Sequence, residues 1–146
     1  MLSTIALVAV LIQQNPAVSR PPMSGVWRDG NEQLKLTLSG DSLTVTSGSQ
    51  TPMTYRTDGS VSRNVSKSAT GAEWKYESTA RWVGNALLLV TKTTRETGGT
   101  WEWLTIYSLD SESGNLTTVT VDHAAHEEGR DGMLTRLKAY RRIIGG

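Results

Sequence analysis

Cysteine does not occur in this sequence. That absence excludes disulfides, thiolate metal sites and a thiol nucleophile together, and with them the lipidated cysteine of a bacterial lipoprotein anchor. Phenylalanine is missing as well, against five tryptophans. Neither sign of charge dominates: 15 Lys and Arg stand against 14 Asp and Glu, net +1, interspersed up to the last segment. Nothing in that balance marks a nucleic-acid partner. The longest apolar run, "LSTIALVAVLI", is too short to span a bilayer, so no membrane span is expected. Motifs of catalysis are also missing. There is no Gly-x-Ser-x-Gly nucleophile elbow, no glycine-rich phosphate loop ahead of a helix and no His-Glu-x-x-His zinc pattern.

The first 19 residues carry no Lys, Arg, Asp or Glu. Their apolar run has the length of a signal-peptide core, about 7–15 residues, and Ala17-Val18-Ser19 is a small-x-small cleavage pattern before Arg20. Residues 1–19 are therefore expected to be a signal peptide and residues 20–146 a single domain, secreted or periplasmic. A chain of this size supports one core and no more.

From Gln33 onward apolar and polar residues alternate in short runs separated by Gly, Asn and Asp. Period-2 alternation marks half-buried strands. The candidates are 26–28, 33–39, 42–47, 53–57, 60–63, 73–82, 86–93, 100–109, 116–122 and 133–142. "LTLSGDSLTV", "ARWVGNALLLV" and "YSLDSESGNLTTV" each place a turn of residues that tolerate positive φ between two strands. Consecutive strands should pair, giving an antiparallel meander, and closing it on itself removes exposed edges. The fold predicted is all-β: a single meander closed into an eight- to ten-stranded barrel.

In "EWKYESTARW", Trp74, Tyr76, Ser78, Ala80 and Trp82 share one face, with Glu73, Lys75, Glu77, Thr79 and Arg81 on the other. "TWEWLTIY" puts Trp101, Trp103, Thr105 and Tyr107 on one side. Leu104 and Ile106 make its second side apolar too, so that strand is either covered on both faces or kinked by a bulge.

Gly25-x-Trp27 opening the first strand, the chain of hairpins and the basic final strand "LTRLKAYRR" together resemble the calycin group, the lipocalin-like barrels. The likeness extends to small exported bacterial proteins of that kind. It implies that Trp27, with Gly25, plugs the closed end of the barrel. It implies also that an arginine from the far end of the chain, Arg136 or Arg141, packs on that indole.

Tryptophan joins a large apolar surface to an N–H that wants a partner, which suits the wall of a partly wet cavity. Trp74, Tyr76, Trp82, Trp101 and Trp103 are the candidate ligand-binding residues, for a small apolar or aromatic molecule. The bland alternative is that they fill the barrel, since an eight-stranded interior is only just wide enough for side chains or one small ligand. Both histidines, His123 and His126, lie in "DHAAHEEGRDG". Their spacing suits one face of a helical turn holding a cation, but a solvated loop explains the stretch more simply, and no metal or cofactor is assigned. Four basic residues on the last strand alternate between faces, so they guarantee no basic patch.

The expectation is a non-enzymatic binding protein that encloses its ligand between Trp-bearing strands. The alternative is a protein-interaction module, an envelope factor or an inhibitor of a secreted enzyme. In that case the barrel is filled and the partner is met by loops 57–72 and 122–132, because loops on a rigid scaffold often carry recognition. A third and weaker reading is metal-assisted hydrolysis at His123 and His126.

Overall fold

The computed structural model describes residues 20–94, 99–123 and 133–144. They form ten strands: β1 (Gly25–Asp29), β2 (Glu32–Ser39), β3 (Ser42–Ser47), β4 (Met53–Arg56), β5 (Asp58–Lys67), β6 (Glu73–Val83), β7 (Ala86–Thr94), β8 (Thr100–Leu109), β9 (Leu116–His123) and β10 (Met133–Arg142). No helix occurs among the described residues, so none there is long and apolar enough to cross a membrane. The order across the sheet is β4-β3-β2-β1-β10-β9-β8-β7-β6-β5, and every neighbouring pair is antiparallel. First and last strands meet, so the meander curls into a nearly closed ten-stranded barrel.

Two-residue turns set three of the hairpins, β1–β2, β2–β3 and β6–β7. At Gly84-Asn85, between β6 and β7, Gly84 has φ +58°, a left-handed conformation that costs glycine nothing and matches the twist of the strands on either side. The corner between β4 and β5 is different. A single residue, Thr57, separates the two strands, and its N–H donates 2.8 Å to the Asp41 carbonyl instead of closing a hairpin. Asp58 holds the corner by pairing with Arg56 at 2.6 Å and accepting from the Ser60 N–H at 3.0 Å.

No backbone ladder joins β4 to β5. Side chains of β5 bridge the gap instead. The Asn64 amide accepts from the Thr54 N–H and donates to the Thr54 carbonyl, both at 3.0 Å. The Ser62 hydroxyl accepts from the Arg56 N–H at 2.7 Å. One carboxamide thus does for Thr54 what an opposing peptide group would do.

The interior changes character along its axis. Where β1 begins, Met23, Trp27, Leu36, Leu43, Leu87 and Leu116 are each at most 1 % exposed, and burying each such side chain is worth about 1.5–3 kcal/mol. Nearer the other end the buried groups include Ser62, Ser78, Thr91 and Thr93.

Three expectations change. The polar stretch taken as loop 57–72 is mostly β5, which leaves 68–72 as the turn. Of the candidate loop 122–132, Asp122 and His123 end β9, and the remainder, His126 included, lies outside the described residues. There is no bulge in β8: its register runs unbroken against β7 and β9. Leu104 and Ile106 instead lie in two outer rows, Val90–Leu104–Val121 and Leu88–Ile106–Val119.

Candidate ligand site and its closed end

Four of the candidate aromatics gather at one end of the barrel, away from Trp27. Strand pairing places Tyr76, Thr93 and Trp101 in one row and Ser78, Thr91 and Trp103 in the next. The middle strand, β7, contributes only threonines to these rows, so the rings of β6 and β8 meet above it. Tyr76 and Trp103 pack edge to face with centroids 6.1 Å apart, and Trp101 and Trp103 do so at 5.9 Å. Each such pair adds about 0.5–1.5 kcal/mol beyond burial.

Beneath the rings the polar groups are engaged. Ser78 and Thr91 share a hydrogen bond of 3.0 Å, and the Thr93 hydroxyl donates 2.9 Å to the Lys75 carbonyl. Tyr76 bonds the Ser66 hydroxyl at 3.2 Å, and the Trp101 indole donates to the Asp122 carboxylate. Trp74, Tyr76, Trp101 and Trp103 remain half-buried on the inward face. Part of each is therefore left uncovered.

Trp82 is not among them. It lies on the same inner face of β6 but six residues beyond Tyr76, roughly 20 Å along the strand, and packs against the apolar core. The Arg20 guanidinium covers it 5.5 Å from the ring centroid, while Arg20 also donates to the Gly40 carbonyl and the Asp41 carboxylate. Alternation predicts a face, not a height. That is why five residues sharing a face resolve into four at the mouth and one near the floor.

At the closed end Trp27 is fully buried, and its indole donates 2.9 Å to the Met23 carbonyl. The arginine over its ring is Arg142, 4.5 Å from the centroid, and neither Arg136 nor Arg141 takes that place. Register explains the correction. Trp27 stands directly opposite Arg142, whereas Arg141 is opposite Arg28 and Arg136 is opposite Thr120. Arg142 also donates to the carbonyls of Ser24 at 3.0 Å and Pro22 at 2.5 Å, which ties the approach to β1 onto the last strand. Gly25 makes room for it: a Cβ there would sit 3.2 Å from the Arg142 Nη1, on a backbone with φ +150°.

Sequence reasoning missed the tyrosines. Burial, and after it the nearby Tyr76, pushes the Tyr55 phenol up to about 12. Burial, and then Tyr55 and Tyr140, pushes the Tyr107 phenol higher still. Tyr140 is raised chiefly by burial and reaches the Glu32 carboxylate at 3.4 Å. Glu32 is held below its ordinary value by the hydrogen bond from Lys138. The signal that could have found them is the inward position that alternation already gave Tyr107.

Among the described residues no three His, Asp or Glu side chains come together to hold a metal ion. A scan against protein-family models gives no match, and a search of curated proteins finds no similar protein. The fold and the site therefore define a class: a nearly closed ten-stranded antiparallel barrel with an aromatic cluster at one end and Arg142 stacked on the buried Trp27 at the other.

Proposed function

We propose that this chain is an exported, non-enzymatic, lipocalin-like binding protein that takes a small apolar or aromatic molecule into its barrel. The observation that supports this most is the placement of Trp74, Tyr76, Trp101 and Trp103: inward, half-buried and at the end away from the plug. Aromatics needed only as core would be expected to bury fully, as Trp27 does. Strand number favours the same reading, because barrel diameter grows with strand count and ten strands enclose more than the eight whose interior side chains just fill. Export rests on the sequence of residues 1–19, and a mature protein beginning at Arg20 is the form expected in the envelope or medium.

The test is intrinsic Trp fluorescence of the purified protein titrated with fatty acids, haem, flavin, biotin and aromatic metabolites. Saturable quenching by one of these, lost in Trp103→Ala, supports the container. A flat response across the panel counts against it.

A second reading, a protein-interaction module, draws on the outer apolar rows of β7, β8 and β9. Binding of a protein partner that Leu104→Lys abolishes, with the fluorescence titrations flat, would favour it.

A further inference from the structure

At the seam where β1 meets β10, an open depression of about 520 Å³ is lined in part by Arg28, Gly30, Asn115, Ala139 and Arg141. Alternation sets its chemistry. Trp27 and Tyr140 are buried in the barrel, so their neighbours Arg28 and Arg141 point out of it, and both are exposed. The two arginines stand directly opposite each other, which puts their Cα atoms about 4.5–5.5 Å apart. Gly30 and Ala139 carry almost no side chain, and the hollow lies where they leave room.

Elsewhere the sheet sets opposite charges in register: Arg63, Glu77, Lys92 and Glu102 alternate across β5, β6, β7 and β8. The seam does the reverse. Like charges directly opposite each other destabilise, and among the described residues neither Arg28 nor Arg141 has an ion pair or a side-chain hydrogen bond. Asp29 and Glu32 are also opposed like charges, but Lys138 pairs with Glu32. No such counter-ion serves the arginines. Gln33 stands beside Arg28, and Val26 and Ile143 lie next along the seam. Asp29 borders the depression from the Trp27 face of β1, within electrostatic reach of Lys138 and Tyr140. Arg142 also borders it, and the carbonyls of Pro22 and Ser24 that accept from this arginine do not neutralise its charge. Three arginines against one aspartate leave the lining positive.

A guanidinium fork matches carboxylate and phosphate alike. Two forks on adjoining strands select further. A carboxylate brings one charge and two oxygens in a plane, enough for one fork. A phosphate monoester brings about −1.5 to −2 charges near pH 7 and three acceptor oxygens, so it engages both arginines at once. The Asn115 carboxamide supplies a neutral donor beside them. Small-molecule sites run to about 300–1,000 Å³, so 520 Å³ has room for an organic body as well as the anion. Ile143, 37 % exposed on the same lining, gives that body an apolar contact.

We propose that this seam is a second ligand site, apart from the lumen, in which Arg28 and Arg141 together hold the phosphate of an organic phosphate monoester, free or at the head of a lipid. It stands independently of the container reading.

Isothermal titration calorimetry on the purified protein compares propyl phosphate with butyrate, and sedimentation compares phosphatidylcholine vesicles with and without phosphatidic acid. Neither small probe carries a ring for the aromatic mouth. Propyl phosphate should bind about tenfold more tightly than butyrate and more weakly as salt rises. Arg28→Gln and Arg141→Gln should each weaken it about tenfold while the urea midpoint stays level or rises, and Arg63→Gln, an equal loss of charge elsewhere, should leave binding unchanged. Sedimentation with phosphatidic acid vesicles alone, lost in both seam variants, assigns the phosphate to a lipid head; binding of propyl phosphate without sedimentation assigns it to a soluble ester. No binding in either arm, equal affinity for propyl phosphate and butyrate, or affinity unchanged in both seam variants overturns the proposal and leaves the container reading untouched.

Discussion

Trp27 owes its burial to two neighbours that make little sense apart. Gly25 leaves the space, and Arg142 fills it while covering the indole and satisfying two carbonyls of the incoming chain. Truncation of the indole should therefore behave as a core deletion. Trp27→Ala is expected to cost about 3–5 kcal/mol in a urea melt and to leave ligand preference alone; an unchanged melt would refute its role as the plug. Gly25→Ala should destabilise as well, through the displaced arginine and the strained φ.

The tyrosines make a prediction in alkali. Tyr55 and Tyr107 have folded values raised above the ordinary phenol value of 10.0. Above that pH the unfolded chain loses phenolic protons that the folded chain keeps, so stability is complete below about 10 and falls as pH rises through the folded values. Phenolate absorbance should therefore grow with unfolding, not ahead of it, and Tyr107→Phe should flatten the decline of the urea midpoint. Ionisation of both residues in a chain still folded by circular dichroism would contradict their burial.

At the scale of elements, β5 is the informative case, because it was legible only as 60–63 and otherwise looked like a loop. Its inner face is Ser62, Asn64 and Ser66, while Val61 and Val65 point outward at 50 % and 48 % exposed. The usual alternation is inverted, since the inward positions serve hydrogen bonds to β4 and to Tyr76 instead of a core. The limits read from the sequence for strands 42–47, 100–109 and 133–142 match the structure. Register is a property of pairs, and one strand's pattern does not contain it. Hence a basic last strand was visible, but which of its arginines meets Trp27 was not.

The gap between β4 and β5 should then depend on Asn64. Asn64→Ala removes two hydrogen bonds and should cost roughly 1–3 kcal/mol, with Asn64→Asp, which keeps only the acceptor, less damaging. Amide hydrogen exchange at Thr54 reads this directly: exchange in the Ala variant should rise there well before it rises in β8. Equal protection of Thr54 in all three proteins would mean that the side chain is not what closes the wall. On the opposite wall Arg28 and Arg141 face one another as a like-charged cross-strand pair, an arrangement that destabilises. Arg141→Glu should raise the urea midpoint slightly, most at low salt; a drop would show that the pair is balanced by something else.

For the whole molecule, an apolar floor and a mouth of aromatics over buried hydroxyls form a gradient along one axis, assembled from strands whose sequences show only their faces. The proposed container role rests on that gradient more than on any single residue. Native mass spectrometry after incubation with the panel of fatty acids, haem, flavin, biotin and aromatic metabolites tests it most directly, comparing the parent protein with Trp103→Ala and Trp27→Ala. The account predicts one bound molecule in the parent and in folded Trp27→Ala, and loss of that species in Trp103→Ala. A parent that stays empty, or a Trp103→Ala protein that binds as well as its parent, would contradict it.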